Sequence, residues 1–463
     1  MKRFFLIALV LTLLFTTLLC SCSFETADRE GELKEILNTT YEALTDTFSE
    51  SDGQYSMVAE YLNSWAEEND LKVKSMQEHA IVLRNSATKD CKDAESTVLQ
   101  CSIDSSDFKH SLETLAIGMT ALLGPESHGK ISLIVTEANG GQMIGAEAVD
   151  AKYCKGDNFI NLQYRDKTKL YTSGAESFTA TMTASLERTE PSYSKAYSIN
   201  MSIPQYIDAF NFDGHYPNPI ETIGSLLASA KSSGRLFQLA SFSCETQNGY
   251  VPSSATAVVV IDENNVEAFL KRFDKSYENV EKKFKKLDDD FVYTMTETSM
   301  PDTVISTEYS DNIISLMYTM KTGIYQQDED SGRIISAADT ASVSTKDDQF
   351  KITFPARSLD SDVLNEMSTV FLTISGLCDI QYQDSDPEIT WTSNDTLSQF
   401  FMEALQTEED ESLATLKHTE CDLFYSKVPN LNIISYQTDI DAGEDAMLNL
   451  VHYMEHLTAA EQK

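Results

Sequence analysis

Apolar residues recur with two different spacings along the first third of the chain. Residues 32–49 and 54–70 repeat them at helical spacing, which predicts two amphipathic helices. Strands that alternate with helices favour an α/β sheet, largely parallel, within residues 32–172. Short apolar runs predict these strands at 71–76, 80–85, 96–104, 130–138 and 158–164, with a helix at 111–124. Because sites in such sheets lie at the carboxyl ends of strands, the positions to inspect are Asp104, Glu137 and Gln163.

The pattern changes in the middle of the chain. Apolar and polar residues alternate in segments such as 177–187 and 349–359, which predicts antiparallel strands. Helical spacing recurs at 218–234, 264–287 and 359–376, and residues 386–463 return to strand and helix. We therefore expect an α/β domain in two parts, 32–172 and 386–463, interrupted by an inserted α+β domain at 173–385.

The N-terminus has the pattern of an export signal, because two basic residues precede an apolar run and small residues follow. Leu19 and Ser21 before Cys22 look like the lipobox of bacterial lipoproteins. This implies a signal peptide at 1–21, a lipid on Cys22 and a polar tether at 22–31. Lipidation of Cys20, a plain secretory signal and an uncleaved anchor helix are the alternatives. A lipid on Cys22 would hold the protein on the extracytoplasmic side of a bacterial membrane.

Charge and motif content exclude several classes of function. The 463-residue chain has a formal net charge of −38, which repels the phosphate backbone of nucleic acids. The sequence contains no phosphate-binding loop, no H-E-x-x-H and no G-x-S-x-G. The six cysteines after Cys22 are scattered without paired spacing, so we predict that most are small buried residues.

Segments along nearly the whole mature chain share the motifs of one enzyme family, in the family's order. STVLQCSIDSS looks like V-L-Q-x-H-x-D, HGKISLIVTEANGG is similar to H-G-x-L-x-x-x-x-T-x-E-E-x-G, and NFINLQY resembles an I-N-x-D strand. ARSLDSD is similar to R-S-L-x-D-S, and KHTECDLF resembles H-A-G-L-E-C-G-L-F. The chain thus resembles zinc exopeptidases of the aminoacylase and carnosinase type, in particular bacterial aminoacyl-histidine (Xaa-His) dipeptidases. The resemblance implies a phosphorylase/hydrolase-like α/β catalytic domain with an inserted α+β domain of the lid or dimerisation type.

The positions that hold two zinc ions in the family carry other residues here. The first ligand, a His, aligns with Ser102, the second Glu of T-E-E with Ala138, and the Asp of I-N-x-D with Gln163. The final His aligns near Ala442, and the region of the bridging Asp offers no convincing equivalent. Only the base position keeps its carboxylate, Glu137. We therefore expect no metal, an idle Glu137 and no catalysis.

Two matches on the substrate side persist. Arg357 matches an Arg that holds the substrate carboxylate in the family, and His215 lies where a family His helps to hold substrate. The alternatives are a structural salt bridge for Arg357 and an ordinary loop residue for His215. Glu420 and Cys421 match the E-C pair, which packing alone explains. The other histidines fall in no ligand motif and are expected at the surface or in structural roles: His79, His110, His128, His418, His452 and His456.

Three functional hypotheses follow. The preferred one is a lipid-anchored protein with the dipeptidase fold that has lost zinc and binds a peptide or amino acid, or acts as a scaffold. The second is an active zinc dipeptidase with a rearranged site, in which Glu137 is the base. Its metal ligands would come from Asp104, Asp107, His110 or His128. The third is a purely structural envelope lipoprotein. A homodimer formed by the inserted domain is compatible with all three.

Overall fold

Strands and helices alternate along the chain, as the periodicity predicts. The computed structural model describes residues 26–49, 53–164, 167–203, 207–211, 216–245, 249–284, 287, 291–406, 413–438 and 442–460. Its strands in chain order are β1 (Lys72–Met76), β2 (Ala80–Asn85), β3 (Thr97–Asp104), β4 (Ile131–Ala138), β5 (Asn158–Tyr164), β6 (Lys169–Tyr171), β7 (Ser173–Gly174), β8 (Glu176–Ser185), β9 (Arg188–Thr189), β10 (Lys195–Ser202), β11 (Phe237–Glu245), β12 (Ser254–Ile261), β13 (Val292–Glu297), β14 (Val304–Ile305), β15 (Gly323–Gln327), β16 (Ile334–Ala338), β17 (Ser342–Ser344), β18 (Gln349–Ser358), β19 (Gln381–Asp384), β20 (Glu388–Ile389), β21 (Ala414–Thr415) and β22 (Ile433–Thr438).

Helices occupy most of the segments between these strands. Short 3₁₀ turns at Ser105–Asp107 and Glu263–Asn265 lead into two of them. The helices are α1 (Thr26–Thr47), α2 (Tyr55–Glu68), α3 (Phe108–Leu123), α4 (Ile144–Ala148), α5 (Ala151–Cys154), α6 (Pro219–Ser232), α7 (Val266–Lys283), α8 (Thr307–Thr319), α9 (Ser361–Leu377), α10 (Asp395–Leu405), α11 (Glu420–Lys427) and α12 (Gly443–Ala460).

The start of α1 corrects the predicted tether at 22–31. The helix begins at Thr26, so the last part of that segment is helical. Arg29 explains this extension, because its guanidinium donates a hydrogen bond of 3.1 Å to Glu455 on α12 and another of 3.0 Å to the carbonyl oxygen of Gly124. The signal peptide predicted at 1–21 lies outside the described residues.

A seven-stranded sheet forms the centre of the first unit. The strand order is β1-β2-β4-β3-β5-β22-β6. The pairs β3–β4, β3–β5 and β5–β22 are parallel, whereas β1–β2, β2–β4 and β22–β6 are antiparallel. The expectation of a largely parallel sheet therefore holds for the middle strands and is wrong at both edges. The middle strands are buried along nearly their whole length, as parallel strands covered on both faces must be.

Helices cover both faces of this sheet and form two separate cores. On one face, residues of α1, α2, α3 and α12 pack against strand residues such as Leu99, Leu133 and Ile160. On the other face, residues of α4, α5 and α11 pack against the alternate strand positions, among them Val98 and Phe159. Alternate positions point to opposite faces. This three-layer arrangement leaves the carboxyl edge of the parallel strands for side chains with chemistry.

The second unit has its own sheet and core. Its main strand order is β13-β10-β12-β11-β17-β18-β16-β15, and β8 pairs with β18, β19 and β20. Residues of α6, α7, α8 and α9 pack on this sheet in one apolar cluster. All of its pairings are antiparallel among the described residues, as the alternating pattern predicts.

The two units divide the chain slightly differently from the predicted boundaries. The second unit is Ala175–Ile389 together with Leu416–His418, and the first unit comprises the rest of the described chain. The predicted start at 173 falls too early, because Ser173 and Gly174 pair with Ala414 and Thr415 in the first unit. The predicted end at 385 falls too early as well, because β20 pairs with β8 inside the second unit.

The described residues add two findings about membrane and redox features. No helix within the described ranges is both long enough and apolar enough to cross a membrane. The six cysteines of this part of the chain are free thiols, and all except the half-buried Cys244 are buried, as predicted. Burial raises the pKa of the Cys154 thiol to about 11, so this thiol is unreactive at neutral pH.

Candidate functional site

The carboxyl edge of the first unit's sheet gathers the positions aligned with metal ligands. Ser102 lies near the end of β3, Ala138 ends β4, and Gln163 is the penultimate residue of β5. Ala442 lies between β22 and α12, and its carbonyl oxygen accepts a hydrogen bond of 2.9 Å from the backbone N–H of Ala446. The fold therefore places these four positions at one edge, and none of them carries an imidazole or a carboxylate.

Ser102 is bound into a network of polar side chains. Its hydroxyl donates to the carboxylate of Glu420 and accepts a hydrogen bond of 3.1 Å from the side-chain amide of Gln100. It also lies 3.0 Å from the hydroxyl of Thr136, its neighbour in the β3–β4 pairing. Ser102 therefore has a structural role, because its hydroxyl connects side chains of β3, β4 and α11.

Glu420 is the centre of this network. It is 4% exposed and lies in the first turn of α11, where the helix dipole favours a negative charge. Asn161 donates to its Oε2 atom at 3.0 Å, and Thr136 donates to its Oε1 atom at 3.4 Å. Neutral donors from β3, β4 and β5 therefore hold a buried carboxylate beside Ser102, and buried polar groups require such partners.

The other aligned positions have ordinary surroundings. Ala138 is 7% exposed and offers no donor atom for a metal. Gln163 faces Gln437 across the β5–β22 pairing, and its Oε1 atom accepts a hydrogen bond of 3.5 Å from the amide of Gln437. Two zinc ions need several imidazole and carboxylate ligands at fixed places. Ser102, Ala138 and Gln163 do not supply ligands of this kind.

The alternative ligand set does not converge either. Asp104 accepts hydrogen bonds from the backbone N–H groups of Ser106 and Gly140, so it shapes the loops there. His110 pairs with Asp107 at 2.6 Å. His128 lies just before β4, at the opposite end of the sheet, and burial lowers its pKa. Within the described ranges, no group of three or more His, Cys, Asp or Glu residues is arranged to hold a metal ion.

Glu137 has a partner that the sequence motifs did not indicate. Its Oε2 atom accepts a hydrogen bond of 2.6 Å from Nδ1 of His79, and both side chains are about one-third exposed, at 30% and 34%. The antiparallel pairing of β2 with β4 sets Ala80 opposite Thr136, which brings His79 beside Glu137. The expectation that His79 has only a surface or structural role is therefore incomplete, and the strand register was the signal that could have revealed the pair.

A pocket of about 400 Å³ opens beside this pair. The start of α2, the turn before β2 and the ends of β3 and β4 form its walls. Its titratable side chains include Glu78, His79 and Glu137, and no Lys or Arg is among its lining residues. Oε1 of Glu137 has no hydrogen-bond partner in the described part of the chain. The pocket therefore presents carboxylate oxygens to whatever enters it.

Arg357 lies in the second unit and is 8% exposed. Its guanidinium donates to the carbonyl oxygens of Leu416 and Lys417 at 3.1 and 3.0 Å, and it stacks on the ring of Phe210 with 4.9 Å between centres. These main-chain contacts favour a structural role, and the salt bridge that was the alternative for Arg357 stays a prediction. Binding of a ligand carboxylate by Arg357 stays a prediction. His215 and Cys22 lie outside the described residues.

Comparison with known proteins identifies the class of fold. No family model matches the sequence, and no curated protein matches it. Among solved structures, the chain is similar in fold, an α/β domain with an inserted domain, to an aminoacylhistidine dipeptidase from Vibrio alginolyticus, with a TM-score of 0.51, 17% identity, and coverage of 88% of this chain and 92% of that one. This similarity confirms the predicted fold class.

Two further structures are similar at lower scores. Aminopeptidase PepT from Bacillus cereus has a TM-score of 0.46 and 10% identity, and covers 92% of this chain and 98% of its own. An M20 family metallo-carboxypeptidase from Sulfolobus solfataricus has a TM-score of 0.38 and 9% identity, with coverage of 87% and 96%. The fold assignment rests on the dipeptidase.

Proposed function

We propose that this protein is a catalytically inactive, lipid-anchored relative of the zinc dipeptidases that binds a peptide or an amino acid outside the cytoplasm. The observation that carries the loss of catalysis is the carboxyl edge itself. Ser102, Ala138, Gln163 and Ala442 occupy the ligand positions, and Ser102 is held by Glu420. A hydroxyl, two methyl groups and an amide cannot replace the imidazoles and carboxylates that bind zinc.

The ligand site of this proposal is the pocket beside Glu137. Its volume of about 400 Å³ lies in the range of small-molecule sites. Carboxylates line this pocket, and no Lys or Arg does. The pocket therefore favours the positively charged amino group of a ligand. The free Oε1 of Glu137 would accept a hydrogen bond from that group. Binding of a ligand carboxylate by Arg357 or His215 is a separate prediction, taken from the family resemblance.

The experiment combines metal analysis with a binding screen. The protein is purified without chelator, analysed for zinc, cobalt and manganese, and assayed for dipeptide hydrolysis. Dipeptides and amino acids are then screened by thermal shift against wild type, Glu137→Gln and Glu60→Gln, the last being an exposed carboxylate of α2 outside the pocket. We expect no stoichiometric metal, no hydrolysis, and ligand shifts that Glu137→Gln removes and Glu60→Gln keeps.

Either half of the proposal can fail separately. About two bound metal ions per chain with dipeptide hydrolysis would contradict the loss of catalysis and favour the rearranged dipeptidase. Absence of metal together with absence of any ligand shift would contradict the binding role and leave a scaffold.

A further inference from the structure

The second unit contains a cavity that shares no lining residue with the proposed ligand site beside Glu137. Its volume is about 190 Å³, and it lies among α6, α8, the segment after α8 and strand β18. The apolar part of its wall consists of five side chains from these elements: Ile220, Met317, Met320, Ile352 and Phe354. A cavity of about 150 Å³ with apolar walls is large enough for benzene, so this cavity admits a ligand of similar size.

One wall of the cavity carries a negative charge. Glu221, in the first turn of α6, lines it together with Thr340. The hydroxyl of Thr340 donates a hydrogen bond of 2.9 Å to Oε1 of Glu221, which fixes the carboxylate. The Oε2 atom has no hydrogen-bond partner in the described ranges, and no Lys or Arg lines the cavity. A fixed carboxylate with one open oxygen therefore faces an apolar wall.

A second carboxyl group, that of Asp339, belongs to the residue directly before Thr340 in the chain. Asp339 is 7% exposed, and its Oδ1 atom accepts a hydrogen bond of 3.0 Å from the amide of Asn218. Its buried Oδ2 atom has no partner among the described residues. Burial, and after it the charge of Glu221, raises the pKa of Asp339. Because Asp339 holds its proton more tightly than a free carboxyl group, Glu221 is the carboxylate of this region that is available to a cation.

We propose that this cavity binds a small organic cation, a primary amine with an apolar body. The ammonium group donates to the open oxygen of Glu221, and the apolar body lies against Met317, Met320 and Phe354. Charge-assisted hydrogen bonds of this kind are stronger than neutral ones, and an aromatic ring nearby adds attraction for a cation. A divalent metal fits less well, since the described residues contain no group of three ligands for one. The proposal is independent of the ligand site beside Glu137.

Isothermal titration with benzylamine tests the proposal, with benzyl alcohol and benzoate as uncharged and anionic probes of the same shape. Three variants are compared with wild type. Glu221→Gln keeps the acceptor for Thr340 but removes the charge, Ser225→Phe fills the mouth of the cavity from an exposed position, and Glu308→Gln removes an exposed charge elsewhere on α8. Circular dichroism confirms that each variant is folded.

We expect saturable binding of benzylamine to wild type and to Glu308→Gln, and affinity lower by about tenfold or more in Glu221→Gln, as loss of a charge-assisted hydrogen bond predicts. Ser225→Phe should abolish binding. Binding of benzyl alcohol as tight as that of benzylamine would overturn the role of the carboxylate. Unchanged affinity in Glu221→Gln, or no saturable binding to wild type, would overturn the site.

A further variant separates this site from the one beside Glu137. If benzylamine also binds beside Glu137, Glu137→Gln removes that binding event and keeps the one that Glu221→Gln weakens. If Glu137→Gln removes benzylamine binding and Glu221→Gln does not, the amine occupies the first unit and the inference is wrong. The proposed function would then stand without it.

Discussion

At the scale of single residues, hydrogen bonds hold a buried carboxylate at the carboxyl edge of the first unit's sheet. Three neutral side chains, Ser102, Thr136 and Asn161, donate to the carboxylate of Glu420. Sequence alignment identified Ser102 as a changed position but not its partner, because Glu420 is 318 residues away in the chain. The pair of His79 and Glu137 was missed for a similar reason. Their contact depends on the register between β2 and β4, which no single sequence motif reveals.

Removal of the Ser102 hydroxyl should therefore cost stability. Ser102→Ala leaves Oε1 of the buried Glu420 without one of its donors, and loss of a partner to a buried acceptor lowers the free energy of unfolding by about 1–3 kcal/mol. Urea unfolding measures it. Ser105→Ala is the control, because its exposed hydroxyl bonds to an Asn139 side chain on the surface. Equal effects of the two substitutions would contradict the structural role of Ser102.

Asp339 makes stability depend on pH. Its pKa is raised by burial and by the charges of Glu221 and Asp208, so the folded state holds the Asp339 proton more tightly than the unfolded chain. The stability that this group contributes is complete below its unfolded pKa of about 3.9 and is lost as the pH rises towards the folded pKa. Asp339→Asn should therefore stabilise the protein more at pH 7 than at pH 4, by about 1.4 kcal/mol for each unit by which the pKa is raised.

Denaturant unfolding of wild type and Asp339→Asn across this pH range gives the difference directly. Asp302→Asn serves as the control, since Asp302 is exposed. A difference between wild type and Asp339→Asn that does not grow with pH would show that the buried carboxyl is stabilised by contacts and not by its proton.

At the scale of elements, helices and strands with a strong pattern could be predicted closely. Strands β2 and β5 coincide with the predicted segments at 80–85 and 158–164, and their first positions are buried on both faces of the sheet. Strand β11 and helix α8 were not assigned from the sequence. Their short, mixed patterns suit either structure, and only packing in the core of the second unit decides between them. The pairing direction at the sheet edges likewise depends on tertiary structure.

Helix α4 supports the candidate site through close packing on β2 and β4. A Cβ atom at Gly145 would lie 2.1 Å from the carbonyl oxygen of His79 and 2.5 Å from the backbone N of Glu137. Gly145→Ala should therefore push the helix away from the strands, lower the free energy of unfolding by about 1–3 kcal/mol and disturb the pair of His79 and Glu137.

The control for this substitution is Gly31→Ala in α1, where no atom lies within 4 Å of the added Cβ. Alanine is the better helix former, so this change should raise the free energy of unfolding by up to about 1 kcal/mol. Thermal unfolding of both variants tests the comparison. Tolerance of Gly145→Ala would show that α4 is free to shift.

At the scale of the whole molecule, the fold could be predicted from the sequence further than the chemistry of the site. The two-domain fold could be predicted from the order of elements and motifs, and the similarity to the dipeptidase structure confirms it. At the site, the sequence could predict which residues differ from the family's ligands, but not the contacts that Ser102 and Glu137 make instead. Because one fold serves many functions and the site decides among them, the fold alone assigns no function to this chain.

The lipid anchor is the last prediction at this scale, and it rests on Leu19, Ser21 and Cys22 alone. If Cys22 carries the lipid, the full-length protein expressed in a bacterium should incorporate labelled palmitate and sediment with membranes. Cys22→Ser should lose the label, whereas Cys20→Ser should keep it, because the residue before Cys20 is Leu19 where a small residue is preferred. A single acyl chain holds a protein only weakly, so firm sedimentation also requires the several chains that a lipoprotein carries. Retention of the label in Cys22→Ser and its loss in Cys20→Ser would move the anchor to Cys20, and no label in wild type would exclude lipidation.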